Sequence, residues 1–303
     1  CRCSDGSPYE LWERPADPTR VVLYLQGGVA CFDELTCGPA LSVFNRTVEL
    51  GDPPDSTGIF DPDVAENPLA THSIVYVPYC TGDVHLGASV VQYGDVTIEH
   101  NGFVNASKGL DTLVANYPDL AQLVVVGVSA GSVAAPAFAG LAADAFPDAQ
   151  IVSFGDSSGA YPDVPELNVD IGGRWGVFDN VPDWPVNEGL TPADWSIPGL
   201  TIQSAAQHPD ITFGRFDFSA DGVQAGFLGL AGVPAVDLAA NIEQTEAQIE
   251  AAGVDIASFV APGEDHTIVR TPAFYELEVG GVRLIDFVAS LVAGEVPADV
   301  RPV

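Results

Sequence analysis

The feature that most constrains this chain is an apolar run, Leu-Val-Val-Val-Gly-Val at residues 123–128, which breaks at once into glycine, serine and alanine. A short β-branched run with no polar alternation is what a central parallel strand requires when both its faces are covered. Residues 130–145 are small and helix-forming, so the spacing predicts a strand, a sharp turn and a helix. Similar apolar runs lie at 72–79, 150–154, 211–216 and 255–261, and helical spacing appears at 105–116, from Val236 to 252, and at 282–292. Strands separated by helices predict an α/β fold with a mostly parallel central sheet flanked by helices. Residues 9–14 and 20–26 read as two strands joined by the turn Pro15-Ala16-Asp17-Pro18, and 90–100 as a hairpin or a loop. Residues 162–209 are irregular and rich in Pro, Trp and Asp, too long for an ordinary connection, and read as a cap or a substrate-facing insertion. No internal repeat or low-complexity linker divides the 303 residues, so one domain over 1–303 is expected, although the length also allows two.

Charge narrows the function classes. The chain carries 42 Asp+Glu against 10 Lys+Arg, a formal net charge of −32, and its one lysine is Lys108. Such a body repels phosphate backbones, which argues against a nucleic-acid partner. No apolar run reaches the ~18 residues of a membrane span, and 47% hydrophobic content is ample for a packed core. A monomer is expected. The five cysteines (Cys1, Cys3, Cys31, Cys37 and Cys80) fall in the first 80 residues without C-x-x-C spacing or neighbouring histidines, so disulfides in an oxidising, extracytoplasmic compartment are expected rather than a metal site. Cys1 is the natural odd one. A mature chain beginning with Cys fits a lipid-anchored protein, and fits a trimmed end as well.

Gly127-Val128-Ser129-Ala130-Gly131 is a G-x-S-x-G pentapeptide. Between a buried strand and a small-residue helix, it has the context of a nucleophile elbow, with the Ala130 N–H at the helix start facing a developing oxyanion. The bland alternative is a glycine-rich turn with an incidental serine. Of five histidines, His266 lies in a polar loop directly after strand 255–261, at the same sheet edge as Ser129. His72 and His208 precede strands, at the wrong edge, and His85 and His100 lie in loops. The acid that orients the imidazole should follow strand 211–216, where position alone does not separate Asp217 from Asp221; either also suits a helix N-cap. A second oxyanion donor is expected after the early strand, at Gly27-Gly28-Val29, where glycines leave backbone N–H groups unobstructed.

These segments together resemble the pectin acetylesterase/Notum family of serine carboxylesterases, an α/β-hydrolase-like fold. The carriers are Tyr24-Leu25-Gln26-Gly27-Gly28 followed by Cys31, the segment Pro78-Tyr79-Cys80-Thr81-Gly82-Asp83-Val84-His85, the elbow at Ser129, and His266. The family's acid sits in D-x-x-Q, which Asp221–Gln224 matches and Asp217 does not, so the resemblance implies Asp221. It also implies the disulfides Cys31–Cys37 and Cys3–Cys80. Two departures bear on the substrate more than on the reaction: Val29-Ala30 stand where a third glycine or a tryptophan is usual, and Ser132 replaces the last glycine of S-A-G-G.

The expectation is ester hydrolysis by Ser129, His266 and Asp221, with Gly28, Val29 and Ala130 as oxyanion donors and with no metal or cofactor called for. The resemblance implies deacetylation of an acetylated polysaccharide, with a broader esterase on hydrophobic or polymeric esters as the alternative and a non-catalytic binding module as the different-class reading. His85, Trp175, Phe178 and Trp184 are candidate substrate contacts, with Trp195 beside them. The aromatics suit a sugar platform or an acyl groove, and equally the packing of the insertion.

Overall fold

The computed structural model describes residues 1–39, 41, 44–51, 53–234 and 237–302. Its centre is a seven-stranded sheet built from β1 (Trp12–Arg14), β2 (Asp17–Leu25), β3 (His72–Val77), β6 (Gln122–Val128), β7 (Gln150–Asp156), β8 (Thr212–Phe218) and β9 (Ile256–Ala261). A separate hairpin pairs β4 (Ser89–Tyr93) with β5 (Val96–His100). The strand order is β1-β3-β2-β6-β7-β8-β9, and every pairing except β1 with β3 is parallel. The fold is α/β-hydrolase-like.

Alternate residues of each strand feed opposite faces, as the period of two requires. Tyr24, Val124, Val126, Phe154, Phe216 and Phe259 pack on one face against helix Leu284–Val292. Leu23, Val125 and Phe138 pack on the other, where helices Gly102–Asn116 and Ala130–Ala145 lie. Both faces of β6 are therefore dry, which is why its sequence is an unbroken apolar run. From β2 the chain proceeds to β3 on one side and later to β6 on the other. The order thus reverses at β2/β6, and a crevice opens beyond the C-terminal ends of those strands.

Several sequence expectations shift. Strand 9–14 shrinks to Trp12–Arg14 and makes no hairpin with β2; it pairs antiparallel with β3, because β2 gives both its edges to parallel neighbours and its last five residues are fully covered. The strand expected at 211–216 runs on to Phe218, so Asp217 lies inside it. The irregular stretch contains an eleven-residue helix, Ile197–Gln207, capped by the Ser196 hydroxyl, and a further helix, Gly222–Leu230, follows β8. The helix expected from Val236 begins at Leu238 with Asp237 as its cap; Val236 itself lies outside the described residues. The closing helix starts at Leu284, because Gly280 and Gly281, both at positive φ, turn a two-residue hairpin just before it. Among the described residues no helix is long and apolar enough to cross a membrane.

Candidate active site

Ser129 sits between β6 and helix Ala130–Ala145 with φ 52° and ψ −116°, a conformation an L-residue adopts only under constraint. The constraint comes from both flanks. A Cβ on Gly127 would lie 2.1 Å from the Gly131 carbonyl oxygen, and one on Gly131 would lie 2.1 Å from that of Leu25. Both positions exclude a side chain, so the motif's glycines are required by close backbone approach. Ser132 fits after the elbow: its hydroxyl bonds Ser158 at 2.6 Å and lies over Gly155, which has no Cβ to meet it.

The His266 ring reaches Ser129 from the loop after β9, with Nε2 2.8 Å from Oγ. On the other side Nδ1–H donates to Asp221 Oδ2 at 2.6 Å. A carboxylate accepts only, so the bond puts the neutral imidazole's proton on Nδ1 and leaves Nε2 free to receive the serine proton. Asp221 is fully buried and is also a helix cap: its Oδ1 accepts from the N–H groups of Val223 and Gln224 at 2.8 and 3.1 Å. Cap and orienting acid are one residue here, where the sequence treated them as alternatives. Gln224 explains the D-x-x-Q spacing. One turn into the helix, its amide donates to Asp221 Oδ2 and to Asp217 Oδ1, at 3.1 and 3.0 Å. Asp217 does not touch the histidine; it accepts from the Gly159 N–H, and burial holds its carboxyl above the ordinary range.

Asp156, at the end of β7, went unnoticed in the sequence. Its carbonyl accepts the Ser129 N–H at 2.7 Å, and its buried carboxylate accepts from Ile268 and Val269 N–H at 2.8 and 3.0 Å. One residue therefore ties the serine turn to the histidine loop. Burial pushes its pKa up to about 6, against the pull of those donors. The only available signal was an Asp closing a buried strand, and the partners of its carboxylate in the histidine loop lie more than a hundred residues away.

The loop after β2 is held from behind. Gln26 Oε1 accepts the Tyr79 N–H at 2.9 Å, and His85 Nε2–H donates to the Gln26 carbonyl at 2.8 Å. A Cβ on Gly28 would lie 2.3 Å from the Tyr79 ring. The disulfide Cys31–Cys37 closes the next turn, and Cys3–Cys80 ties the N-terminus to the segment after β3; the Cys1 thiol is free and exposed. No acceptor among the described residues engages the N–H groups of Gly28, Val29 or Ala130, and all three residues border the cavity that contains Ser129.

That cavity measures ≈ 260 Å³ and is walled chiefly by apolar side chains, among them Leu86, Val133, Ile171, Leu200 and Phe227. Of the candidate substrate contacts, Trp175 and Trp195 line it. His85 does not: it is 1% exposed behind the loop that follows β2, and burial pushes its pKa down to about 4, so it stays neutral. Trp184 packs over Gly140 and donates to Asp144, and Phe178 packs with the core on that face of the sheet; neither reaches the cavity. His72, His100 and His208 are engaged elsewhere, with Gln122, with Thr81 and Tyr93, and with Asp144. Three possible metal ligands converge, among the described residues, at Glu246, Glu250 and Asp299, where Arg215 and Arg301 already neutralise Glu246.

A mostly parallel sheet with a serine on a strand–turn–helix elbow, bonded to a histidine that is bonded to an aspartate, defines an α/β-hydrolase-like protein. The chain belongs to the Pectinacetylesterase family, whose sequence model matches residues 1–181. It is 38% identical over 93 residues to palmitoleoyl-protein carboxylesterase NOTUM of Mus musculus, and 37% identical over 93 residues to the Homo sapiens protein of that name. It is 32% identical over 90 residues to palmitoleoyl-protein carboxylesterase notum2 of Xenopus laevis. Each match takes in 28–29% of this chain and 18% of the relative, so the chain aligns with less than a fifth of their length.

Proposed function

We propose that the chain is a serine carboxylesterase that cleaves O-acyl esters through an acyl-serine intermediate. The observation that carries this reading is the continuous line Ser129 Oγ–His266 Nε2, 2.8 Å, and His266 Nδ1–Asp221 Oδ2, 2.6 Å, beside three backbone N–H groups unengaged among the described residues. As Oγ bonds to the ester carbonyl carbon, its proton passes to Nε2 and the carbonyl electron pair moves onto oxygen. The N–H groups of Gly28, Val29 and Ala130 receive that charge. The carbonyl re-forms, the C–O bond to the alcohol breaks, and Nε2 returns the proton to the departing oxygen. Water then repeats the sequence on the acyl-serine and releases the acid. Throughout, the Asp221 carboxylate holds Nδ1–H and stabilises the cation.

The cavity favours an acyl group that is apolar and longer than acetyl. Its walls offer aliphatic and aromatic contact, which a longer chain rewards by roughly fourfold per buried methylene. This is the broad esterase on hydrophobic or polymeric esters, and the matched carboxylesterases' own name, palmitoleoyl-protein, agrees with a long acyl group. Deacetylation of a polysaccharide is the second reading, favoured by the family's description. Two disulfides in an acidic, lysine-poor chain support action in an oxidising, extracytoplasmic setting.

Aryl esters graded from acetyl to octanoyl test both parts. Ser129→Ala should abolish turnover of all of them while the thermal transition is retained. For the wild type, kcat/KM should rise at least tenfold from acetyl to its optimum. Turnover by the alanine variant removes the serine mechanism, and an optimum at acetyl restores the deacetylase.

A further inference from the structure

We propose that Tyr161 sets the length of acyl chain this site accepts, by closing the acyl cavity off from a second chamber behind it. The inference rests on the reading that the cavity beside Ser129 holds the acyl group.

Behind the acyl cavity lies a smaller space of ≈ 50 Å³, wedged between helices Ala130–Ala145 and Ile197–Gln207 and strands β7 and β8. The two spaces share three wall residues: Val133, Tyr161 and Ile197. Val133 and Ile197 are short side chains fixed on helices. Tyr161 stands in the segment after β7 and supplies the largest side chain of the partition, its ring edge-on to Phe227 with centroids 5.7 Å apart. Its hydroxyl has no hydrogen-bond partner among the described residues, so packing holds the ring in place.

The chamber differs chemically from the cavity in front of it. Ser153 and Thr201 border it at 2% and 4% exposure, together with Ser132, Ser158 and Thr245. Hydroxyl-bearing side chains gathered round one small space make it a place for a polar group. At about 30 Å³ per water, the space suits a molecule or two of solvent in the resting protein. It suits the oxygenated end of a longer acyl chain equally well once the tyrosine ring is removed. The wild-type site is thus an apolar slot with a stop, and the stop hides a polar extension.

The test compares wild type, Tyr161→Ala, Tyr161→Leu and Tyr161→Phe on aryl esters from acetyl to dodecanoyl, with ω-hydroxyalkanoyl esters of matched length. Labelling by a small fluorophosphonate verifies that each variant's site is assembled. Tyr161→Ala should move the optimum two or more carbons longer and raise kcat/KM tenfold or more for the longest esters relative to butanoyl. Tyr161→Leu should move it less, and Tyr161→Phe should keep the wild-type profile. On the longest chains Tyr161→Ala should also prefer the ω-hydroxy ester severalfold over the plain one, a preference a merely loosened pocket would not create.

An unchanged profile in a fluorophosphonate-reactive Tyr161→Ala overturns the length stop and leaves the esterase reading standing. A shift in Tyr161→Phe as large as in Tyr161→Ala assigns the effect to the hydroxyl and overturns it too. Indifference to the ω-hydroxyl shows that the added length does not enter the second chamber. Failure of wild type on every ester removes the function itself.

Discussion

At the level of single side chains, the site depends on residues that touch no substrate. Gln224 donates to both Asp221 and Asp217, and its own Oε1 accepts the Ala160 N–H at 3.0 Å. Gln224→Glu replaces that shared donor with a third acid between two buried carboxyls. Asp221 then loses the contact that aims it at His266, and like charge presses on it from one turn away. We expect kcat to fall at least tenfold with little change in KM, because the damage reaches the imidazole and spares the acyl cavity. Steady-state kinetics on the preferred aryl ester, over a range of pH, checks this. Ser129 and His266 were legible because local context was enough: a dry strand before one, a strand's C-terminal loop around the other. Asp221 was legible only through D-x-x-Q, since Asp217 sits four residues away and the difference lies in where β8 ends. Asp156 was not legible at all. Its role consists of a bond from Ser129 and bonds from Ile268 and Val269, and spacing carries no trace of the last two, more than a hundred residues away.

At the level of elements, the geometry of the candidate site is set where two neighbouring strands end. β2 delivers the Gly27-Gly28-Val29 loop and β6 delivers the elbow, and the two are in register from Arg20 with Gln122 to Leu25 with Gly127. The loop is then pinned by the segment after β3, where Val84 and His85 take left-handed backbone at φ 51° and 61° to bring His85 onto the Gln26 carbonyl. Gly28→Ala tests this arrangement directly. Its Cβ would meet the Tyr79 ring at 2.3 Å, and the aromatic is itself buried, so the loop must move away from the elbow. Loss of oxyanion alignment should lower kcat by about 100-fold, with KM for a long-chain ester nearly unchanged, measurable in the same steady-state assay. The sequence pointed to the right strands here but not to their partners. A turn of four residues between 14 and 20 suggests a hairpin, whereas β2 is claimed on both edges by parallel strands from farther along the chain. Residues 162–209 looked irregular because Pro198 and Gly199 stand in the first turn of the helix they contain, where a proline is tolerated and the Ser196 cap completes the end.

At the level of the whole molecule, buried titratable groups work against one another, and the balance can be measured. Burial lowers His100 to about 4 and His85 likewise, so the folded protein keeps both neutral while the unfolded chain takes up protons near 6.5. The unfolded state therefore binds more protons between those values, and this contribution to stability is lost as pH falls from 6.5 toward 4. Burial raises Asp83 and Asp156 to about 6. For these the folded state binds more protons, and their contribution grows as pH falls from 6 toward 4. These two histidines and two carboxyls, shifted by similar amounts in opposite senses, largely offset one another across that window. Removing one histidine should uncover the tilt. His100 is held by the Thr81 carbonyl and the Tyr93 hydroxyl, away from the reacting atoms, and a glutamine there can reach the same partners without titrating. Relative to His100→Gln, the wild type should lose up to about 3 kcal/mol of unfolding free energy between pH 7 and pH 4. Urea titrations of both proteins at the two pH values, in 0.5 M salt to screen the repulsion of a chain of net charge −32, measure that difference. A difference that does not depend on pH would mean that His100 protonates as readily in the folded protein as in the unfolded chain. The acid-stability balance would then set His85 alone against the two carboxyls, and the wild type would gain stability as the solution is acidified toward pH 4.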